Sequence, residues 1–331
     1  MKELLQILET LNSLPPGGAV LATLSHVEGS SSRRPGARLL LTVDGRRIGS
    51  ISGGCLEDDV AEHARAVLAG GGPRTVTYDT STENDPLWGV GVGCHGVVHV
   101  LIEPLPPAPP WAGVLRENLC RRVPTELAVV WAESAGDRRG TFLAGDLPPL
   151  TTSGVFRQTV LPPVPLVVFG AGNNAQPLVR FAKDLGWHVT VVDPRPAMAA
   201  AARFPEADAI VVARPDAIPS PLDLGPDTVA VIMTHHYAHD LPLLRHLLPR
   251  PLAYLGLLGS RPRAEKILSD LAAGGLAVTP DLRARLHAPV GLDLGAATPE
   301  EVALAIVAEI QAVLTGRDAR PLRERRRPIH G

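Results

Sequence analysis

The stretch Gly170-Ala-Gly-Asn-Asn-Ala175 has the spacing G-x-G-x-x-A. In such a turn the first glycine permits a tight bend, the second lets a phosphate approach the backbone, and Ala175 permits close helix–strand packing. A helix opening behind the turn offers N–H groups to an anion. Gly170 and Gly172 therefore mark a candidate nucleotide- or phosphate-type site. Asp193 stands about 20 residues beyond the second glycine, where a ribose 2′-OH ligand is expected, and Arg195 nearby leaves a 2′-phosphate open. An α/β turn whose glycines serve packing alone is the plainer alternative.

The second chemistry is that of thiols. Ser52-Gly-Gly-Cys-Leu-Glu57 leads a Gly53-Gly54 turn into a helix with Cys55 at its mouth. A thiol there can act as a nucleophile or soft ligand, although Glu57, Asp58 and Asp59 partly cancel the helix dipole. The competing reading is a buried small residue beside a tight turn. Cys94 sits beside His95 in a loop bearing Gly89, Gly91, Gly93 and Gly96. An adjacent Cys and His do not complete a tetrahedral zinc site. Cys120 lacks a glycine loop and reads as structural. His235, His236 and His239 are close in sequence but lack an H-E-x-x-H pattern, which favours substrate hydrogen bonding or a helix start over metal. Beyond Gly259, Ser260 can cap the next helix, and Arg261 and Arg263 can meet phosphate.

These residues need an α/β frame to position them. Residues 166–169, 188–192, 209–213, 228–233 and 252–258 read as five buried strands alternating with helices. They predict a C-terminal Rossmann-like, doubly wound parallel sheet, with the loops at Gly170, Thr234 and Gly259 at the carboxyl ends of strands. Residues 286–295 read as a glycine-bearing loop, and Thr298-Pro-Glu-Glu301 as a capping box. The N-terminal part reads as α+β. An amphipathic helix precedes strands at 19–27, 37–43, 46–51, 75–78 and 97–103, with a hairpin turn at Asp44-Gly45. Residues 104–110 read as a stiff proline linker. Strands at 127–132 and 140–144 are placed as an extension of the first sheet. The expected domains are 1–160 and 161–331.

A length of 331 residues suits two such domains. A net charge of −2 gives no sign of a nucleic-acid partner. No secretory pattern or bilayer-length apolar stretch occurs, so a soluble cytoplasmic protein without membrane association is expected. Three cysteines argue against a disulfide framework.

Several motifs in order make the chain resemble the XdhC/CoxI family of molybdenum-hydroxylase accessory proteins. They are Gly29-Ser-Ser-Ser-Arg-Arg-Pro-Gly-Ala37, Ser52-Gly-Gly-Cys-Leu-Glu57, Leu87-Trp-Gly-Val-Gly-Val-Gly-Cys-His-Gly96, Gly170-Ala-Gly-Asn-Asn-Ala175, Met233-Thr-His-His-Tyr237, Gly256-Leu-Leu-Gly-Ser-Arg261 and Leu286-His-Ala-Pro-Val-Gly-Leu-Asp293. The resemblance implies a non-enzymatic chaperone for the molybdenum cofactor, as molybdopterin or its dinucleotide form. Such a protein protects the cofactor while a sulfido ligand is installed, then passes it to an apo molybdenum hydroxylase of the xanthine dehydrogenase or carbon monoxide dehydrogenase type. A cysteine desulfurase is the second implied partner, and a homodimer the implied assembly. On this resemblance Cys55 and Cys94 are candidate molybdenum contacts. Gly53, Gly54, Gly170, Gly172, Asn173, Asn174, Asp193, His235, Ser260 and Arg261 are candidate cofactor contacts. Asn173 stands where members often carry His, and His95 where the thiol loop commonly has Gly. The alternative is an NAD(P)-dependent oxidoreductase, for which the sequence offers no clear proton relay. A nucleotide-sensing scaffold is the third reading.

Overall fold

The computed structural model describes residues 1–14, 18–79, 96–147, 154–217, 222 and 224–326. The chain divides into two compact units, Glu3–Pro162 and Pro163–Arg325.

The first unit runs α1 (Lys2–Asn12), β1 (Ala19–Gly29), β2 (Arg38–Thr42), β3 (Arg47–Gly49), α2 (Glu57–Leu68), β4 (Arg74–Asp79), β5 (Gly96–Leu105), α3 (Pro110–Cys120), β6 (Thr125–Val130), β7 (Gly140–Leu143) and β8 (Val155–Val160). Its main sheet is antiparallel, in the order β3-β2-β1-β5-β4. β1 is buried without alternation from Ala19 to Ser25 because both faces of that part are covered. Val20, Ala22 and Leu24 pack with Val60, Ala64 and Val67 of α2. Ala19 and Leu21 pack on the other side with Ile7, Leu8 and Leu11 of α1, Leu115 of α3 and Leu127 of β6. The Asp44-Gly45 turn joins β2 to β3 as expected, with Gly45 at φ +86°.

Two sequence expectations are corrected here. The stiff proline linker expected at 104–110 is confined to 106–109, between β5 and α3. Pro104 and Leu105 belong to β5, opposite Val20 and Ala19. Pairing of β4 with β5 covers Ile102 to Val97, so Pro104 lies beyond it and its missing N–H costs no ladder bond on that side. Pro110 then starts α3, where a helix needs no N–H donor. Strands β6 and β7 do not extend the main sheet either. They join β8 in a separate antiparallel sheet, β7-β6-β8.

The second unit runs β9 (Pro165–Phe169), α4 (Ala175–Asp184), β10 (His188–Asp193), β11 (Ala209–Val212), β12 (Val229–Ile232), α5 (Tyr237–Leu247), β13 (Tyr254–Leu257), α6 (Arg261–Ala273), α7 (Pro280–Ala284), β14 (Leu286–His287) and α8 (Pro299–Leu314). All its strands are parallel, in the order β11-β10-β9-β12-β13-β14. This is the predicted doubly wound sheet, with its order reversing between β9 and β12. Helices α4 and α8 cover one face and α5 and α6 the other. The short strand β14 lies inside the stretch expected to be loop. The capping box of α8 forms as its residues predict, with Glu301 N donating to Thr298 Oγ1 at 3.3 Å and Thr298 N to Glu301 Oε2 at 2.9 Å. Among the described residues no helix is long and apolar enough to cross a membrane.

Candidate functional site

In the second unit the glycine turn sits at the reversal of strand order. Gly170 closes β9 with φ +114°, and a Cβ there would lie 2.7 Å from the Met233 carbonyl at the end of β12. Only glycine allows the two strand ends to approach so closely. Gly172 differs, since a Cβ there meets nothing within 4 Å, so its face is open to a ligand. Ala171 and Ala175 are fully buried, consistent with the tight packing expected of the motif. Asn174 starts α4 without a side-chain cap, and its Nδ2 lies 3.4 Å from His235 Nε2 across the crevice. His235 adopts the left-handed backbone region, at φ +56°.

Asp193, expected to meet a ribose, has its carboxylate engaged within the chain. Its carboxylate is 2% exposed and accepts from Ala171 N at 2.8 Å, Arg195 N at 2.9 Å and the Arg195 guanidinium at 2.9 Å. Burial pushes its pKa up, but these donors and the Arg195 charge outweigh burial and hold it below the usual carboxylate range. The acid thus ties the glycine turn to the end of β10. Arg203 reaches the same turn, with Nη2 3.3 Å from Ala171 O and 3.2 Å from Asn173 Oδ1.

The other strand-end loops are partly internal. Arg263, expected to meet phosphate, pairs with Asp240, which is fully buried and also accepts from Thr234 Oγ1. Ser260 occupies the N-cap of α6 but makes no capping bond. One of the amides it would accept from, that of the second helical residue, is missing because that residue is Pro262. Arg261 is exposed. The three histidines do not converge. His236 and His239 face each other with ring centroids 4.6 Å apart, while His235 faces Asn174. Among the described residues no group of three or more His, Cys, Asp or Glu is placed to hold a metal ion.

In the first unit Cys55 is a free, exposed thiol, which removes the buried-residue reading. Its loop is held by Glu57, which lies in the first turn of α2 and folds back. Glu57 Oε1 accepts from Ser50 Oγ at 2.6 Å, Ser52 N at 2.9 Å and Ile51 N at 3.2 Å. Glu57 Oε2 accepts from Ser52 Oγ and, at 3.2 Å, from Leu56 N. Burial opposes the ionised form, yet the Ser50 and Ser52 donors prevail and hold Glu57 down at about 2. The neighbouring acids are engaged too. Asp58 accepts from Arg47 Nη1 at 2.6 Å and Asp59 from Tyr78 OH at 2.6 Å. A Cβ on Gly53 or Gly54 would meet nothing within 4 Å, so the backbone beside the thiol is open. Cys94 and His95 lie outside the described residues. Cys120, expected to be structural, is exposed at the end of α3.

Residues 16–79 match the model of the XdhC and CoxI family, and residues 166–310 that of the XdhC Rossmann domain. The chain is 34% identical over 312 residues to a probable xanthine dehydrogenase subunit of Bacillus subtilis (strain 168), covering 88% of this chain and 92% of that one. The chain belongs to the XdhC and CoxI family. It is also 27% identical over 300 residues to the molybdenum cofactor insertion chaperone PaoD of Escherichia coli (strain K12), covering 89% of this chain and 83% of that one. The crystal structure of a xanthine dehydrogenase from Bacillus halodurans superposes with a TM-score of 0.82 at 34% identity, covering 97% of this chain and 99% of that one.

Two features of this XdhC/CoxI-family chain escaped the motif reading. Arg203 sits in an alanine-rich stretch with no spacing signal, and only the fold carries it to the turn. Glu309 of α8 accepts from Tyr254 OH and, at 2.8 Å, from Gly291 N, and lies 3.1 Å from His287 Nδ1. It thereby holds the loop after β14. Its position on a helix face gives no hint of this.

Proposed function

We propose that this protein is a molybdenum-cofactor chaperone. It binds the cofactor, shields it while a cysteine desulfurase supplies sulfur, and delivers it to an apo molybdenum hydroxylase of the xanthine dehydrogenase or carbon monoxide dehydrogenase type. The observation that carries the reading is the exposed Cys55 thiol, held on an open glycine loop in a chain resembling a cofactor insertion chaperone over most of its length.

The residues suit such a ligand. A thiolate is a soft donor and matches molybdenum carrying sulfur ligands. Gly53 and Gly54 leave room for close approach at Cys55, and the open face of Gly172, with Arg195 and Arg203 near the turn, suits a phosphate. When bound, the cofactor supplies the redox metal centre that the hydroxylase uses. The chain's own groups hold and orient it. Glu57 keeps the Cys55 loop closed, and Asp193 keeps the glycine turn and Arg195 in place. His235, Asn173, Asn174, Ser260 and Arg261 remain proposed contacts, as does Cys94. A homodimer is the proposed assembly.

The test is to purify the protein from cofactor-producing cells and assay bound pterin by the fluorescence of its oxidised form. Bound pterin is expected, and Cys55→Ala should lower hydroxylase maturation in cells while leaving the unfolding midpoint unchanged. No bound pterin, together with full hydroxylase activity in a deletion strain, overturns the reading. The oxidoreductase alternative requires tight NADH binding with turnover. The engagement of the Asp193 carboxylate by Arg195 and Ala171 argues against a free ribose acceptor there.

A further inference from the structure

Within the stretch Gly29-Ser-Ser-Ser-Arg-Arg-Pro-Gly-Ala37, which has no part in that reading, residues 32–37 line a cavity of about 610 Å3 in the first unit. That size falls within the roughly 300–1,000 Å3 typical of small-molecule sites. Among the described residues its charged lining side chains are Arg33, Arg34, Arg38 and Glu3. Glu3 pairs with Arg33. Leu4, Pro35 and Val160 supply an apolar wall.

Arg38 is the unusual member. It opens β2 and is only 4% exposed. Its Nη1 donates to Gly36 O and Gln158 Oε1, both at 2.9 Å. Its Nε and Nη2 are buried and have no partner among the described residues. Glu103 acts on it only through its field, because Glu103 binds Thr141, accepting from its amide at 2.9 Å and its hydroxyl at 2.5 Å. Stripped of water without a full set of acceptors, the guanidinium has its pKa lowered to about 10. Gly36, whose carbonyl accepts from Arg38, adopts φ +95°, a backbone conformation that favours glycine. Arg38 also lines the cavity beside Arg33 and Arg34, although its unpartnered Nε and Nη2 are sealed from solvent and add only charge to the floor.

We propose that this cavity binds a phosphate-bearing small molecule. Arg33 and Arg34 grip the phosphate oxygens, Arg38 and Gln158 form the cationic floor, and the apolar wall covers the rest of the ligand. The inference stands on the geometry of the first unit and does not need the chaperone reading. The phosphate has two chemical sources, the phosphoester end of a pterin cofactor or a free nucleotide.

The experiment is isothermal titration of the full chain with inorganic pyrophosphate at constant ionic strength. Arg33→Gln/Arg34→Gln should weaken binding by roughly tenfold or more, with the unfolding midpoint unchanged. Glu3→Gln should tighten it several-fold by releasing Arg33, a sign that mere structural damage would not produce. Gly172→Asp, which blocks the glycine turn of the other unit, should leave this site intact. No binding by the wild type, binding unaffected by the double variant, or binding abolished by Gly172→Asp overturns the proposal. Two further arms identify the source. Loss of co-purified pterin from the double variant assigns the phosphate to the cofactor, whereas retained pterin with lost binding of cytidine monophosphate assigns it to a nucleotide. Absence of pterin from the wild type defeats the chaperone reading and leaves the pyrophosphate result standing.

Discussion

The thiol loop of the first unit and the glycine turn of the second solve one problem in two ways. Each is a glycine-bearing bend ahead of a helix, and each is held by one carboxylate that accepts backbone amides. In the thiol loop the carboxylate is Glu57, only two residues beyond Cys55, and its partners are neutral hydroxyls and amides. In the glycine turn it is Asp193, which arrives from the next strand and carries Arg195 with it. The first bend is therefore closed locally, and the second is closed only when β9 and β10 pair. A local closure can be loosened without cost to the sheet, which suits a loop presenting a thiol. A closure made through the sheet fixes a phosphate-type site to the core.

The sharpest test of this contrast lies within the glycine turn. Gly170→Ala should destabilise the second unit by about 3 kcal/mol or more, because a Cβ would enter the Met233 backbone at a left-handed φ. Gly172→Ala should shift stability by only about 0.5 kcal/mol while weakening anion binding at the turn, as urea unfolding and ligand titration would read. Equal losses for the two would break the distinction between a packing glycine and an approach glycine. Next comes Asp193→Ala. It removes several hydrogen bonds to one buried carboxylate and should cost about 2–3 kcal/mol in urea unfolding, the half-exposed Arg195 keeping the loss from being larger. Glu57→Ala should cost less, about 1–2 kcal/mol, and should change the rate of Cys55 alkylation, because its effect stays within the loop. If Asp193→Ala also altered Cys55 alkylation, the two closures would not be independent.

Acid provides the smallest and most selective probe. Glu57 is held at about 2 against an ordinary value of 4.5. Its stabilising contribution is therefore complete above about 4.5 and is lost as pH falls towards 2. Asp193 is depressed in the same direction, so its share is likewise lost on acidification. A Glu57→Gln variant should show a flatter loss of stability across that window than the wild type. An identical acid profile would mean the Glu57 hydrogen bonds do not persist in solution.

Much of the second unit was legible because its signals are local. Uninterrupted apolar runs separated by helices specify a parallel sheet covered on both faces, and Thr298-Pro-Glu-Glu301 specifies its own cap. The strands β8 and β14 were not legible. The residues of β8, Val-Phe-Arg-Gln-Thr-Val, mix charge with apolar groups, and β14 is two residues long. Both are strands only because β6 and β13 offer them an edge. Pro104 misled for a related reason, since a proline-rich run is extended whether or not a neighbour pairs with it.

The sequence alone determined which bends could bind and which residue types they carry: Gly170 and Gly172 for a phosphate, Cys55 beside Gly53-Gly54 for a thiol. It also determined family membership through the order of its motifs. The tertiary structure decided what each polar group is spent on. Asp193 and Arg263 looked unengaged, and the fold pairs them with Arg195 and Asp240. Cys55 by residue type leaned towards a buried residue and is exposed. Arg38 looked like an ordinary strand residue and is a buried cation short of acceptors. Composition and spacing carry backbone preference, which is local. Hydrogen-bond partners and burial depend on groups far apart in the chain, and they exist only once the sheets have formed.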